Sequence, residues 1–406
     1  MNRIKTFAVL LLTFFLFLNT CKKKESELPE KGIPFTDSLY GTTLVRITDK
    51  KIDNYSGNGI ENEYARADAY NIDESYLVLR GNDGVFYLYN ASNYQLIRNL
   101  NELSGGQELE PRWHQTDPNI FYYFSGPALM SYNIANNTSQ TIHNFTQEFP
   151  NCSYITTGTE GDASQDRNYW CLMVVDSLYN LIAVVVYDMH ADSIIGTKTN
   201  FPDAINWVSM DISGNHAVIG YDSYVCQAFT RDLTGCIDMP VGANGHMDLA
   251  ITKDSNDVIV YQNNATDWIA MADLNTGLET QLIEIPFSTN TDIGLHFSGN
   301  CYKKPGWVLV STYGAKNPPT GCTHSWMDNL LFMVELKANP KIIKLAQTHS
   351  YTAENPDDVE KNYFAEAFAS INSNGTKVVF GSNWGILSPA DYTDAYEVKM
   401  PMGWDQ

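Results

Sequence analysis

The sequence predicts an all-β fold, a seven-bladed β-propeller built from four-stranded antiparallel blades. An apolar strand, a small polar turn and a second apolar strand recur about every 40 to 70 residues, as in propeller repeats. Strand-forming Val, Ile, Tyr, Phe and Trp dominate, with turn pairs such as Asn374-Gly375, while helix-period stretches are nearly absent. The clearest copies begin at Trp207, His246, His296 and Glu366, and fainter copies begin near Arg66, Arg112 and Gly161.

The fifth repeat shows how one blade is assigned to strands A to D. We predict strand A at His246–Thr252, B at Asp257–Gln262, C at Asp267–Asp273 and D at Glu279–Ile285. Leu44–Asp49 precedes the first repeat and is predicted to complete the last blade, which would close the ring.

The N-terminal segment predicts export and lipid attachment. Arg3 and Lys5 precede an apolar run, and Leu18-Asn19-Thr20-Cys21 is typical of a lipoprotein cleavage site. We therefore expect residues 1–20 to be a signal peptide and Cys21 to be lipidated. The lipid would anchor the exported protein to a bacterial (outer) membrane, in the periplasm or at the cell surface. Residues 21–37 are charged and predict a flexible tether, and residues 38–406 are the predicted propeller domain.

Composition limits the partners. The net charge is −21, and no basic patch is interleaved with aromatic residues, so nucleic acid is not an expected partner. An acidic polysaccharide could bind only at a locally positive or metal-containing mouth. We expect a monomer, with Cys171 and Cys226 as buried thiols because they lie in apolar strand patterns.

Strand order predicts which residues share a face. Strand A lines the central channel, and the D-to-A connections and B–C loops lie on one face, here called the mouth face. The long segments of this face are Asn144–Thr157, Thr312–Trp326 and Gln347–Ala365. Because long loops on one face mark a functional surface, we expect the site at this mouth. The strand A starts place Arg66, Arg112, Trp113 and His114 there as well.

Four residues predict a zinc site at the mouth. His246 and His296 begin successive A strands, His349 lies in the connection to the seventh blade, and Cys322 lies in a long loop of the sixth. Three imidazoles and one thiolate suit tetrahedral zinc. The alternative is that each histidine only forms hydrogen bonds at the channel.

A second set suits proton transfer. His114 is predicted to start the second A strand, His143 to end the second D strand and Tyr221 to end the fourth B strand, all on the mouth face. Histidine titrates near neutral pH, and tyrosine can act as an acid or base when a nearby cation lowers its pKa. The alternative for Tyr221 is simple aromatic packing.

The stretch from His246 to Trp384 resembles propeller polysaccharide lyases that act on ulvan, families 24 and 25. The segments that carry the resemblance are GHMDLA, VIVYQNNATDWIAMADL, KPGWVLVSTYGA, LAQTHSYT and AEAFASINSNGTKVVFGSNWG. The chain is more distantly similar to oligogalacturonate lyases, which share the propeller and a histidine-held metal.

This resemblance implies β-elimination at a uronic acid of ulvan, a sulfated polysaccharide. It implies proton-transfer roles for His114, His143 and Tyr221, a mainly structural zinc, and a carboxylate-facing arginine at the position of Arg231. The strand assignment instead puts Arg231 near the far end of its C strand. Arg66, Arg80 and Arg112 are better placed to bind the substrate, with Trp113 beside them.

Two other functions remain open at this point. Propellers often serve as binding platforms, so a non-catalytic surface glycan-binding or scaffold protein is the alternative. A hydrolase with paired carboxylates is a weaker hypothesis, because the pattern shows no convincing acid pair at the mouth.

Overall fold

A computed structural model describes residues 28–103, 109–223, 225–240, 243–289, 293–317, 326–358 and 361–406. Cys21, Cys322 and residues 1–27 lie outside the described residues. The side chains of residues 243–245 and 289 are likewise not described.

Seven four-stranded antiparallel blades form a β-propeller, as predicted. In strand order A to D, blade 1 is Gly59–Glu61, Tyr76–Gly81, Phe86–Asn90 and Leu96–Asn99, and blade 2 is Arg112–Trp113, Ile120–Ser125, Ala128–Asn133 and Thr138–Asn144. Blade 3 is Tyr154–Thr156, Tyr169–Val175, Leu181–Asp188 and Ser193–Lys198, and blade 4 is Ile205–Met210, His216–Tyr221, Cys226–Thr230 and Cys236–Asp238. Blade 5 is Ala243–Ile251, Asp257–Asn263, Trp268–Asp273 and Glu279–Glu284, and blade 6 is Gly294–Ser298, Trp307–Tyr313, Leu330–Glu335 and Ile342–Gln347. Blade 7 is Ser370–Ile371, Lys377–Ser382, Thr393–Lys399 and Thr43–Arg46.

Helical structure is minor in the described residues. It comprises a short α-helix, Lys50–Asp53, and the 3₁₀ turns Asn101–Leu103, Phe287–Thr289 and Tyr363–Ala365. None of the helices in this part of the chain has the length and apolarity needed to cross a membrane.

The core lies between neighbouring blades. Alternate residues of each strand face the next blade, so period-two apolar patterns pack sheet on sheet. Between blades 4 and 5, for example, Val218, Leu249, Ile259 and Tyr261 form one buried cluster. Cys171 and Cys226 are both buried free thiols, as predicted.

The N-terminal strand closes the ring. Thr43–Arg46 pairs antiparallel with Thr393–Lys399, which confirms the closure predicted from Leu44–Asp49. This closing pair of strands is here called the seam. Within it, Arg46 forms a buried ion pair with Asp394 at 2.7 Å.

The predicted tether of residues 21–37 is not free along its whole length. Phe35 and Thr36 pair with Leu44 and Thr43, and Leu28 packs against the apolar cluster of blades 6 and 7. Only the part before residue 28 lies outside the described residues.

Strand A is interrupted in three blades, and the three irregular segments lie at the channel. They are residues 62–68 in blade 1, 157–163 in blade 3 and 362–369 leading into blade 7. Three of their non-glycine residues have positive φ: Thr159 at 66°, Ala367 at 70° and Phe368 at 41°. Such conformations cost about 1–3 kcal/mol each and tend to cluster at functional sites.

Candidate active site at the channel mouth

Two histidines, a tyrosine and a glutamate meet where strands A of blades 5, 6 and 7 begin. The rings of His246 and His296 have centroids 5.1 Å apart in an edge-to-face arrangement. The Tyr313 ring stacks on His296 at 5.0 Å, and His296 Nε2 lies 3.0 Å from Glu366 Oε2. The sequence prediction that His246 and His296 converge is therefore confirmed.

Burial sets the charge of this cluster. It lowers the pKa of His296 to about 3, with Arg66 acting in the same direction. It also lowers the pKa of His246 to about 4, so both imidazoles are neutral at pH 7. Burial raises the pKa of Glu366 to about 7, and its Oε2 lies within hydrogen-bonding distance of His296 Nε2.

A cavity of about 110 Å³ adjoins the cluster and is lined by the irregular strand A segments. Its lining residues are Glu61, Glu63, Tyr64, Arg80, Thr159, Glu160, Tyr363, Phe364 and Phe368. Tyr64 and Phe368 connect the cavity to the cluster, since both rings also contact His296. The ring of Tyr363 packs on Phe368 at 4.8 Å, yet its side chain remains half exposed at the opening.

Two arginines bring positive charge to this mouth. Arg80 lines the cavity and favours the ionised form of Glu61, although burial still raises the pKa of that carboxyl well above its usual range. Arg66 is buried, lies 3.0 Å from Glu160 and places its guanidinium 4.6 Å from the centre of the Trp207 ring. Both were predicted from sequence to serve the substrate.

The predicted zinc ligands are only partly brought together. His349 packs against Trp384 at 4.3 Å, near the N-terminal segment, and none of its described contacts involves His246 or His296. Cys322 lies outside the described residues. Among the residues that the structure does describe, no group of three or more His, Cys, Asp or Glu side chains is arranged to hold a metal ion.

The predicted proton-transfer residues do not meet. His114 follows the end of strand A of blade 2, Arg112–Trp113, and this stretch of chain is already bonded to strand B at Leu109, whose carbonyl accepts from the Phe124 N–H. Its Nδ1 accepts hydrogen bonds from the backbone of Thr116 and Asp117 in the A–B turn. His114 therefore lies on the face opposite the mouth, which corrects its predicted placement.

His143 lies on the outer rim between blades 2 and 3. Its Nδ1 is 2.8 Å from Asp192 and its Nε2 is 3.1 Å from Glu148, while its ring packs on Tyr187. Strand D is the outermost strand of a blade, so its end reaches the neighbouring blade and not the channel.

Tyr221 is on the mouth face, as predicted, but it lines a separate pocket between blades 4 and 5. Its hydroxyl donates to Gln227 Oε1 at 2.7 Å. Burial raises its pKa, whereas a catalytic base would need a lowered one.

The remaining predicted site residues, Arg231, Arg112 and Trp113, make their contacts to other parts of the protein and do not line the cavity at the mouth. Arg231 lies on the opposite face, donates to Gly214 O at 2.5 Å and stacks on Tyr169, as the strand assignment indicated. Arg112 is buried and pairs with Glu63 at 2.8 Å. Trp113 is 3 % exposed, and its indole N–H donates to Ala69 O, so its ring has no face open to a sugar.

Sequence reasoning missed Glu366, Tyr313 and Tyr363 as site residues. Glu366 was visible as the first residue of a strand A, the same kind of position that singled out His246. Tyr313 ends strand B of blade 6 and pairs with Gly294, so strand order alone would have placed it at the mouth. Tyr363 depends on an irregular turn and left no periodic signal.

Comparison with known proteins supports the fold. No protein-family model matches the chain, and no curated protein matches its sequence. Among solved structures, an oligogalacturonate lyase in complex with manganese has a TM-score of 0.61 at 14 % identity, covering 92 % of this chain and 97 % of that one. An oligogalacturonate lyase from Vibrio parahaemolyticus has a TM-score of 0.60 at 15 % identity, covering 92 % and 100 %.

Proposed function

We propose that the protein is a polysaccharide lyase that cleaves a uronate-containing polymer by β-elimination at the channel mouth. The observation that carries this proposal is the Arg80-lined cavity beside the cluster of His246, His296, Tyr313 and Glu366. Support also comes from two lyases of uronate oligomers that share the fold over nearly the whole chain.

Each chemical requirement has a residue at this mouth. Of the three glutamates in the cavity lining, Glu63 pairs with Arg112 and Glu160 with Arg66, and burial raises the pKa of Glu61. The positive charge of Arg80 is therefore proposed to stabilise the uronate carboxylate and the negative charge that develops at C5. Glu366 is held by His296 and Tyr313 and is partly exposed, so its carboxylate is the proposed acceptor of the C5 proton. The C4–O bond then breaks as the C4–C5 double bond forms.

The leaving oxygen needs a proton, and Tyr363 is the proposed donor. Its ring lines the same cavity and is 55 % exposed, so a bound sugar can reach the hydroxyl. Desolvation of its inner side, together with the nearby Glu366 and Glu160 carboxyls, raises the pKa of Tyr363, which keeps the phenol protonated and able to donate.

The mouth offers some, but not all, of the ligands that a divalent metal ion needs. His246 Nδ1 is buried with no hydrogen-bond partner among the described residues, and His296 and Glu366 are adjacent. Neutral imidazoles are suitable ligands, so His246 and His296 would hold the ion, zinc by the sequence prediction, but the described residues offer no arranged third ligand beside them. A bound cation would help to neutralise the substrate carboxylate.

Ulvan is the proposed polymer, on the basis of the sequence segments between His246 and Trp384. Export and lipid attachment at Cys21 are proposed with it, because a polymer of this size must be met outside the cytoplasm. Replacing Cys21 with serine should abolish incorporation of labelled palmitate, and unchanged labelling would refute the anchor.

An ultraviolet assay tests the enzyme. Elimination creates a 4,5-unsaturated uronate, so absorbance should rise when the protein is incubated with ulvan, and pectin and glucuronan test the alternative polymers. Binding without any rise in absorbance on these polymers would favour the glycan-binding or scaffold function instead.

Arg80→Gln sharpens this test. Loss of the charge should raise KM at least about tenfold, since hydrogen bonds to charged groups contribute about 1.5–3 kcal/mol. Arg98→Gln is the matched control, because Arg98 bonds Asn137 at the outer edge of blades 1 and 2. Equal KM values for the two variants would contradict the assigned role of Arg80.

A further inference from the structure

A second, larger pocket opens on the mouth face between blades 4 and 5, with a volume of about 880 Å³. Trp207 separates it from the channel mouth. One side of that ring carries Arg66, and the ring packs against Gly220, the residue before Tyr221. The two cavities are therefore neighbours on one face.

One wall of this pocket is a chain of fixed hydrogen bonds. Tyr221 donates to Gln227 Oε1, and Gln227 Nε2 donates to Asp238 Oδ1, each at 2.7 Å. Asp203 is held by the backbone N–H groups of Ala204 and Ser223. Hydrogen bonds from Ser223 and Ala204 keep the pKa of Asp203 below its usual range, so it presents a carboxylate.

Apart from Asn264, the rest of the described lining is apolar. Pro202, Met239 and Pro240 belong to this apolar lining, and Val225, which also lines the pocket, is 47 % exposed. A surface of this kind suits the C–H face of a pyranose ring, while the polar wall offers acceptors for its hydroxyl groups.

The charge of the lining selects the ligand. The described residues that line the pocket include two aspartates but no lysine or arginine. Two carboxylates disfavour a uronate or a sulfate by direct repulsion, yet they accept hydrogen bonds well from neutral hydroxyl groups.

We propose that this pocket binds a neutral, hydroxyl-rich sugar unit. The proposal extends the proposed function and rests on it for the uronate polymer, but it favours a polymer whose neutral sugar carries no sulfate over the sulfated ulvan. A chain that alternates uronate with such a neutral sugar would occupy the channel mouth and this pocket together. Binding of the neutral sugar alone requires no lyase activity.

Saturation-transfer NMR and calorimetry with the methyl glycosides of rhamnose, xylose and glucose test the pocket. We expect millimolar binding of at least one neutral glycoside and weaker binding of methyl glucuronoside. Val225→Trp adds bulk to the lining and should weaken the neutral glycoside at least about tenfold. Leu278→Trp is the control, since Leu278 is 72 % exposed on a C–D turn of the opposite face.

The outcomes separate this proposal from the lyase. If none of the three neutral glycosides binds, or if Val225→Trp binds as well as the control, the pocket proposal is overturned even when ulvan is cleaved. Neutral binding that Val225→Trp removes supports the pocket even if no polymer gives an absorbance rise.

Discussion

Glu366 follows directly after the 3₁₀ turn Tyr363–Ala365, so a short stretch of chain supplies both the proposed proton acceptor and the proposed donor. Replacing Glu366 with glutamine keeps the shape and the contacts to His296 while removing the basic oxygen. We expect kcat to fall at least about 100-fold, the usual contribution of general base catalysis.

The control for this variant is Glu354→Gln, because Glu354 is an exposed glutamate that pairs with Lys316. Both variants should unfold within a few degrees of the wild type. A near-normal kcat for the E366Q enzyme would contradict the assignment of Glu366 as the general base, and the neighbouring His246 would be the next candidate.

Substitution of His296 tests the prediction of a zinc site. If zinc is bound through His246 and His296, His296→Ala should lower the metal content, measured by mass spectrometry of the purified protein, together with the Tm. A variant that keeps full metal content and thermal stability would show that the zinc prediction is wrong.

Residue placement was predictable only where the start of a strand was visible. His246 and His296 begin A strands in clear repeats, and their rings do meet. The prediction put His114 at the start of strand A, but it follows the end of that strand. The second repeat has only a faint apolar pattern, so the sequence did not show that pairing with strand B begins near Leu109. His143 is on the correct strand, but a repeat pattern does not show how far strand D lies from the channel.

At the scale of elements, the closing strand Thr43–Arg46 should control stability. Leu44 is fully buried in the cluster shared by blades 6 and 7. Leu44→Ala should reduce the free energy of unfolding by about 2–5 kcal/mol, as large-to-small core changes do.

Leu39 gives a matched control for this variant, because it is 70 % exposed in the preceding turn. Leu39→Ala should change the free energy of unfolding by less than about 0.5 kcal/mol. Denaturant titration measures both, and equal midpoints would mean that the seam contributes little to the ring.

The strands of the later blades follow the sequence pattern closely. Strands B, C and D of blade 5 lie within one residue of their predicted bounds, because alternating apolar residues and Asn-Thr-Gly turns mark them. The segments 62–68 and 157–163 could not be predicted in this way. They break the period-two pattern and are held by contacts distant in sequence, such as Arg66 with Glu160.

For the whole molecule, buried carboxyl groups predict how stability depends on pH. Burial raises the pKa of Asp68 and Asp248 to about 7 and that of Asp394 to about 6. The folded state therefore binds more protons than the unfolded state from about pH 4 to 7, so this contribution is lost as the pH rises through that window.

The buried histidines act in the opposite sense. The lowered pKa values of His246 and His296 mean that the unfolded state binds more protons below about pH 6.5, so stability falls on acidification. Because three carboxyls with raised pKa values outnumber the two histidines across the shared window, we expect the Tm to fall as the pH rises from about 5 to 8 in calorimetry. A Tm that rises steadily from pH 6 to 8 would contradict the assigned carboxyl pKa values.

The seam also determines how the ring would respond to mechanical load. Tension applied from the N-terminal side first reaches Lys31 and Gly32, which are bonded to Arg46, and then Phe35–Thr36, a two-residue pair that peels off in sequence. It then reaches Thr43–Arg46, which is pulled lengthwise along Thr393–Lys399, so its backbone bonds and the Arg46–Asp394 contact share the force at once. A ring closed in this way yields in two stages, with a weak outer stage that spares the channel and a strong inner stage that opens it.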